Sequence, residues 1–344
     1  MQSAASKQPE ESMLASATID AVPRVGIVLS SLKEAEEHDG TKLSGLSDPC
    51  PTDTELTPAR VSAMLRKAME FGSRTVQPRP QRGPAGAGRR RTQQASEDWV
   101  VVLITLTPEI SSDLLLVSAL IDDYATQGRG QRFTIAAGGP PPAPWSEMLR
   151  ALAARHKQLR FDYVDLSRDA WLEVPAPRRT YAAKNPNGVY AIAKTIRECD
   201  RLISVAPLST SAQTGIAVTV ANYWWITPAE VYGSQREKLL ALGDPVDVLT
   251  DLYLHQPAAY AIAGGSQHRD AQTTVRHNIV IAGSNAVAVD AVAAAVMGFD
   301  APKLPLLDKL EARGFGVSDP NAIWTRGNEI EQARRAFQKP KGYL

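Results

Sequence analysis

The chain has 344 residues, 44% hydrophobic and 22% charged, with 38 basic against 37 acidic side chains. That composition builds a globular core of good size. The near-neutral balance excludes a general attraction of the whole molecule to nucleic acid or to an anionic membrane.

Residues 1–22 are rich in Ser, Gln, Glu and Ala without period, and read as a disordered tail. They hold no basic stretch followed by an apolar one, so no signal peptide is expected and the chain reads as cytoplasmic. Arg24 to Ser30 is a short buried strand. Thr57-Pro58 supplies a helix cap followed by proline at the first helical position, and Val61, Met64, Leu65, Ala68 and Met69 recur at helical spacing up to Gly72. Residues 73–97 carry prolines, glycines and the run Arg89-Arg90-Arg91, and read as a disordered basic insertion. One short cluster without interleaved aromatics favours a solvated loop over a nucleic-acid grip.

Alternation then becomes regular. Trp99–Leu106 is a strand of the kind covered on both faces, Glu109–Gln127 a helix, Phe133–Ala137 a strand ending in Gly138-Gly139-Pro140, and Trp145–His156 a helix. Arg160–Val164 reads as extended, Tyr190–Glu198 as helical and Arg201–Val205 as a strand. Ala259–Ala263 and Asn278–Ala282 are further strands, Ser284–Met297 is an Ala/Val-rich helix, and Leu304–Leu310 and Asn328–Phe337 are outer helices. The longest apolar run, 286–299, is too short to cross a bilayer and contains Asp290. The expected fold is α/β, a mostly parallel sheet with helices on both faces over residues 23–340, as one domain or two sub-domains.

Candidate chemistry is sought in the loops after the strands, where such sheets gather ligands. The diglycine after Ala137 is followed by prolines that lack the N–H donors of an anion cradle, and no G-x-G-x-x-G or phosphate-loop lysine is present. Ser209-Thr210-Ser211-Ala212-Gln213-Thr214 groups small polar side chains beyond what one cap needs. Asn222-Tyr223-Trp224-Trp225 fits a pocket wall, an oligomer interface or plain core. Asp290 sits among alanines and valines, where a carboxylate is costly unless paired. It either meets a ligand or accepts structural hydrogen bonds. Cys50 and Cys199 lack C-x-x-C spacing, and no two histidines share a metal-binding spacing. His268 and His277 flank a polar loop and could converge. Arg178-Arg179, with Lys184 and Asn185, could close over an acidic ligand, though a solvated loop is the simpler reading.

Val287-Ala288-Val289-Asp290-Ala291-Val292-Ala293, Met297-Gly298-Phe299-Asp300, Gly314-Phe315-Gly316-Val317 and Cys199–Pro207 with Thr214-Gly215 and Asn222 together resemble the prokaryotic domain-of-unknown-function 362 family. The likeness runs from residue 24 onward, with 73–97 as an insertion. The resemblance implies a Lys and a His where Ser209 and Ser211 stand, a Lys at Ala221, an Asp at Ala263, and a Lys-Pro-Asn near Thr105 and Leu106. Asn222 and Asp290 survive. A site without those groups has lost anion binders and proton carriers.

The expectation is therefore a small-ligand-binding or accessory protein on an enzyme-like scaffold, with Ser209, Ser211, Thr214, Asn222 and Asp290 around a degenerate pocket. One alternative is an enzyme acting on a small anionic or metal-linked substrate through Asp290 with His268 or His277. Another is a protein or nucleic-acid interaction through the basic insertion. The cofactor and the ligand's identity stay open, no protein ligand set for a metal is expected, and a homo-oligomer is compatible with the aromatic run.

Overall fold

Short runs of Val, Ile and Leu flanked by polar turns pair into a sheet when both faces can be covered. In the computed structural model, which describes residues 22–32, 49–73, 98–177, 182, 184–185 and 188–343, they do so. The expected tail and insertion, apart from Val22 and Ser73, and Arg178-Arg179 lie outside those residues. Strand β1 (Arg24–Leu29) leads to helix α1 (Pro58–Gly72), then β2 (Trp99–Ile104), α2 (Leu114–Thr126), β3 (Arg132–Ala137), α3 (Ala143–Arg155) and β4 (Arg160–Asp165). A small pair, β5 (Trp171–Pro175) and β6 (Val189–Ala193), precedes α4 (Lys194–Glu198) and β7 (Arg201–Ala206). The two-residue strands β8 (Thr210–Ser211) and β9 (Gly215–Ile216), a 3₁₀ helix Val220–Ile226, α5 (Ala229–Tyr232) and α6 (Pro245–His255) follow. Last come β10 (Tyr260–Asp270), β11 (Thr273–Gly283), α7 (Ala286–Val296), α8 (Pro305–Ala312), β12 (Trp324–Gly327) and α9 (Ile330–Ala333).

Eight strands form one sheet in the order β12-β1-β11-β10-β7-β2-β3-β4. Pairing is parallel except where β11 meets β1 and β10. Alternate residues feed two cores. Val100, Val102, Ile104, Phe133, Ile135, Ile203 and Val205 pack with α1, α2 and α3 on one face. Val101, Leu103, Ala136, Leu202, Ala206, Ile279 and Ile281 pack with α6, α7 and α8 on the other.

Several boundaries differ from the sequence reading. Val189–Ala193 is a strand antiparallel to β5, and only Lys194–Glu198 is helical. A short apolar run has no period long enough to separate the two readings. Helix α2 starts at Leu114, because Asp113 accepts from the Leu115 and Leu116 amides. Residues 105–112 instead form a loop held by Thr107 and Ile110. Helix Asn328–Phe337 shrinks to Ile330–Ala333. The late strands form a long antiparallel hairpin instead of isolated segments, and it bends at a bulge between Gly265 and Gln267. Gly264 and Gly265 there have φ of 130° and 122°, and a Cβ on Gly265 would meet the Asp113 side chain. The bulge carries the end of the hairpin beyond the rim of the sheet. Among the described residues no helix is long and apolar enough to cross a membrane.

Candidate functional site

From β2 the chain steps outward to β3 and β4, then returns to β7 on the other side of β2 and continues the opposite way to β10 and β11. The connections therefore diverge between β2 and β7. Beyond the carboxyl ends of such a pair a crevice opens, because the following loops lead away from each other. A cleft of about 510 Å³ lies there. Its walls are the loop after β2 (Thr105, Thr107, Glu109, Ile110), the β8–β9 hairpin after β7, the 3₁₀ helix, the start of α6 and Arg269 on the long hairpin.

Ser209, Ser211, Thr214 and Asn222 all line this cleft, but Asp290 does not. Asp290 is 2% exposed and lies behind the wall. Its Oδ1 accepts from the Thr219 amide (3.0 Å) and hydroxyl (2.5 Å), and its Oδ2 accepts from the Val220 amide (2.9 Å). The carboxylate thus caps the N-terminus of the 3₁₀ helix, whose first amides have no partner in their own helix. Burial pushes its carboxyl up to about 6, against the pull of those three hydrogen bonds. Of the two readings of Asp290, a place around the pocket or an acceptor of structural hydrogen bonds, the structure shows the second, with the carboxylate behind the cleft wall.

Asn222 is equally occupied. Its amide donates to Ser204 Oγ and the Val205 carbonyl (both 3.0 Å), and its Oδ1 accepts from the Thr105 hydroxyl at 2.7 Å. Ser204 in turn donates to the Thr219 carbonyl at 2.8 Å. A continuous chain of hydrogen bonds therefore runs from Asp290 in α7 through Thr219, Ser204 and Asn222 to Thr105 at the cleft. It locks the 3₁₀ helix onto the ends of β2 and β7, and such a connected network rigidifies what it joins.

The small polar group after β7 is consumed in the same way. Ser211 Oγ accepts from the Gln213 and Thr214 amides, Thr214 donates to the Ile216 carbonyl, and Thr210 Oγ1 accepts from the Ala271 amide. Only Ser209 Oγ is loosely held, with a 3.4 Å contact to the Thr210 carbonyl.

His268 and His277 do converge, with ring centroids 6.3 Å apart, but behind the cleft. His268 is fully buried. Its Nδ1 accepts from the Leu208 amide at 3.0 Å, which leaves Nε2–H to donate to the His277 carbonyl at 2.7 Å. That pairing fixes one neutral tautomer, and burial pushes its pKa down to about 4. His277 Nε2 meets the Ala333 carbonyl at 2.9 Å, and burial lowers this histidine too. Asp290, Asn222 and the histidines are each bonded to different backbone segments and do not meet in one cleft.

The aromatic run divides. Tyr223 is buried core and donates to the Gln256 carbonyl, while Trp224 and Trp225 are half-buried and line the cleft. Trp225 packs over Gly138, where any Cβ would collide with its ring, and the Arg236 guanidinium lies 5.3 Å from that ring's centre. Thr105 enters the sequence reading only as a position where the resemblance implies other residues, and Thr107 and Arg269 do not enter it at all. Among the described residues no cluster of three or more His, Cys, Asp or Glu side chains is placed to hold a metal ion.

Residues 146–295 match the family model described as Domain of unknown function (DUF362). Over that segment the chain is similar to this family. The match is narrower than the stretch from residue 24 suggested by the sequence likeness, and it stops short of Met297–Asp300 and Gly314–Val317. Within it, Ser209, Ser211 and Ala221, where the DUF362 resemblance implies Lys, His and Lys, all line the cleft. Thr105, upstream of the match, joins them, while Ala263 is buried in the sheet. A search of curated proteins returns no match. One solved structure, that of the lactate racemase apoprotein from Thermoanaerobacterium thermosaccharolyticum, superposes with a TM-score of 0.32 at 14% identity, over 65% of this chain and 52% of that one. The chain spans about half the length of that protein.

Proposed function

We propose that the chain binds a small molecule in the cleft between the loops after β2 and β7, as a binding or accessory protein on an enzyme-like scaffold. One observation carries this reading. The groups that acid–base chemistry would call on (Asp290, His268 and His277) bond to backbone behind the cleft and do not line it, while the cleft holds the tryptophans and sits at the crossover. A general base must reach the proton it takes. These groups are walled off from any molecule lying against Trp224 and Ser209.

The test is a thermal-shift panel of metabolites, metals and small organic ions on the full chain, beside Ala221→Trp, which fills the cleft from its wall. A ligand at a hundred times its Kd adds about 2.7 kcal/mol of stability by mass action. At least one class should raise the melting temperature of the native chain and leave Ala221→Trp unmoved. If no compound shifts the native chain, or if shifts persist in the filled variant, the cleft is not the binding site.

A further inference from the structure

We infer that the ligand of this cleft is a small monoanion, a carboxylate with a flat or apolar body, and that Arg269 is the residue that reads its charge. The inference rests on the binding reading above and names the ligand class.

The argument begins with what the cleft still offers. Its hydroxyls and Asn222 are largely committed to the protein, as described. Helix N-termini, the usual backbone source of positive potential, are also taken. Asp290 caps the 3₁₀ helix behind the cleft, Asp113 caps α2 behind the loop after β2, and Asp244 caps α6 at the far wall, where it accepts from the Val246 amide. The capped amides at these three helix ends are not available to a phosphate.

Arg269 is different. Its backbone is fixed, because its amide donates to the Leu208 carbonyl at 2.9 Å and it bridges in parallel to Ser209. Its side chain is half-buried in the cleft, yet among the described residues it makes no hydrogen bond or ion pair. A guanidinium partly withdrawn from water and left without a counter-charge is costly, and a ligand carboxylate would relieve that cost through its matching planar fork. Ser209 Oγ, the loosely held hydroxyl, belongs to the residue bridged to Arg269. The other charged residue on the cleft wall, Glu109, is exposed on the outer loop, where water screens it.

A single cation matches a charge of about −1. A phosphate monoester carries about −1.5 to −2 at neutral pH and would keep an uncompensated charge. Trp224, with Leu240, Pro245 and Leu249 beside it, supplies the surface for the ligand's body.

The experiment compares benzoate with its neutral isostere benzamide, with phenyl phosphate and with benzylamine, by thermal shift and tryptophan emission on the full chain. Benzoate should bind at least about tenfold more tightly than the other three. Arg269→Gln should remove that preference, bringing benzoate to the affinity of benzamide in the same variant. Arg269→Lys, which keeps the charge without the fork, should retain part of it. Because the Arg269 side chain touches no other charged group, both variants should melt within a few degrees of the native chain. If benzamide equals benzoate, or if Arg269→Gln leaves benzoate untouched, the anion assignment falls while binding that Ala221→Trp abolishes keeps the cleft reading. Tighter binding of phenyl phosphate overturns the single-charge argument. If none of the four probes binds, the ligand class is wrong, and the wider panel decides on the cleft itself.

Discussion

Asp290 is the residue at which chemistry and architecture were hardest to separate. A lone carboxylate in an apolar helix was visible as an anomaly in the sequence, and so was its double meaning. Its partners are two backbone amides and a hydroxyl seventy residues upstream, which no local pattern could name. The structure makes a sharp forecast for Asp290→Asn. The amide can still accept from Thr219 through its oxygen, but its NH₂ then faces the Val220 N–H, so two donors meet in a buried place. Losing a charged acceptor and stranding a buried donor costs about 2–4 kcal/mol. Urea unfolding should show this as a lower midpoint with an unchanged slope. A loss under about 0.5 kcal/mol would mean that the carboxylate does not hold the 3₁₀ helix. Asn222 and the serines repeat the lesson, since their polarity was legible but their commitment to other segments was not. Arg269 escaped notice because only the bend of the hairpin brings it to the cleft.

Elements were easiest to read where local chemistry and tertiary need agree. Helix α1 begins at Thr57-Pro58, with the Thr57 side chain accepting from the Arg60 amide, and ends at Gly72 as the residue pattern predicts. The same Thr-Pro pair at Thr107-Pro108 starts no helix. There the Thr107 hydroxyl closes a turn with Ile110, and Asp113 takes the cap. The residue pattern over β6 reads as helix because nothing near Val189–Ala193 announces its partner β5. One tertiary requirement is written at two glycines. A Cβ on Gly26 would sit 2.1 Å from the Ala68 carbonyl, and one on Gly72 would sit 2.1 Å from that of Ala282, so α1 lies directly on the sheet's backbone at both points. Gly26→Ala must push helix and strand apart. Overpacking of that kind costs about 1–3 kcal/mol, and more where backbone must move. By contrast, Gly139→Ala, where a Cβ meets nothing within 4 Å, should change stability by less than about 0.5 kcal/mol. Equal losses in the two variants, measured by thermal unfolding, would refute close backbone approach as the reason for Gly26.

At the scale of the molecule, alternating strands and helices foretold a mostly parallel sheet covered on both faces. The order of its strands could not be foretold, because β1 and β12 join the far end through pairings that span almost the whole chain. Where that order diverges, between β2 and β7, the cleft opens, so the cleft's position follows from topology and not from any motif. The whole molecule also carries a pH signature. His268 and His255 are each pushed down to about 4, and His277 is lowered, all chiefly by burial. An unfolded histidine takes its proton near 6.5. Between 6.5 and 4 the unfolded chain therefore binds protons that the folded chain refuses at His268 and His255, and stability falls as pH falls, by about 1.4 kcal/mol per unit for each of those two, with His277 acting in the same direction. Asp290 works the other way. Raised from 3.8 to about 6, its carboxyl holds a proton in the folded state that the unfolded state has lost, so its contribution declines as pH rises through that window. Three histidines oppose one carboxylate, and the net slope should remain positive. Unfolding free energies should be level above about pH 7 and drop steadily from 6.5 toward 4.5, and His268→Leu should flatten that drop by about one proton even as it lowers stability at every pH. A native chain equally stable at pH 7 and pH 5 would show that these imidazoles are charged or water-exposed, and the walls behind the cleft would have to be redrawn.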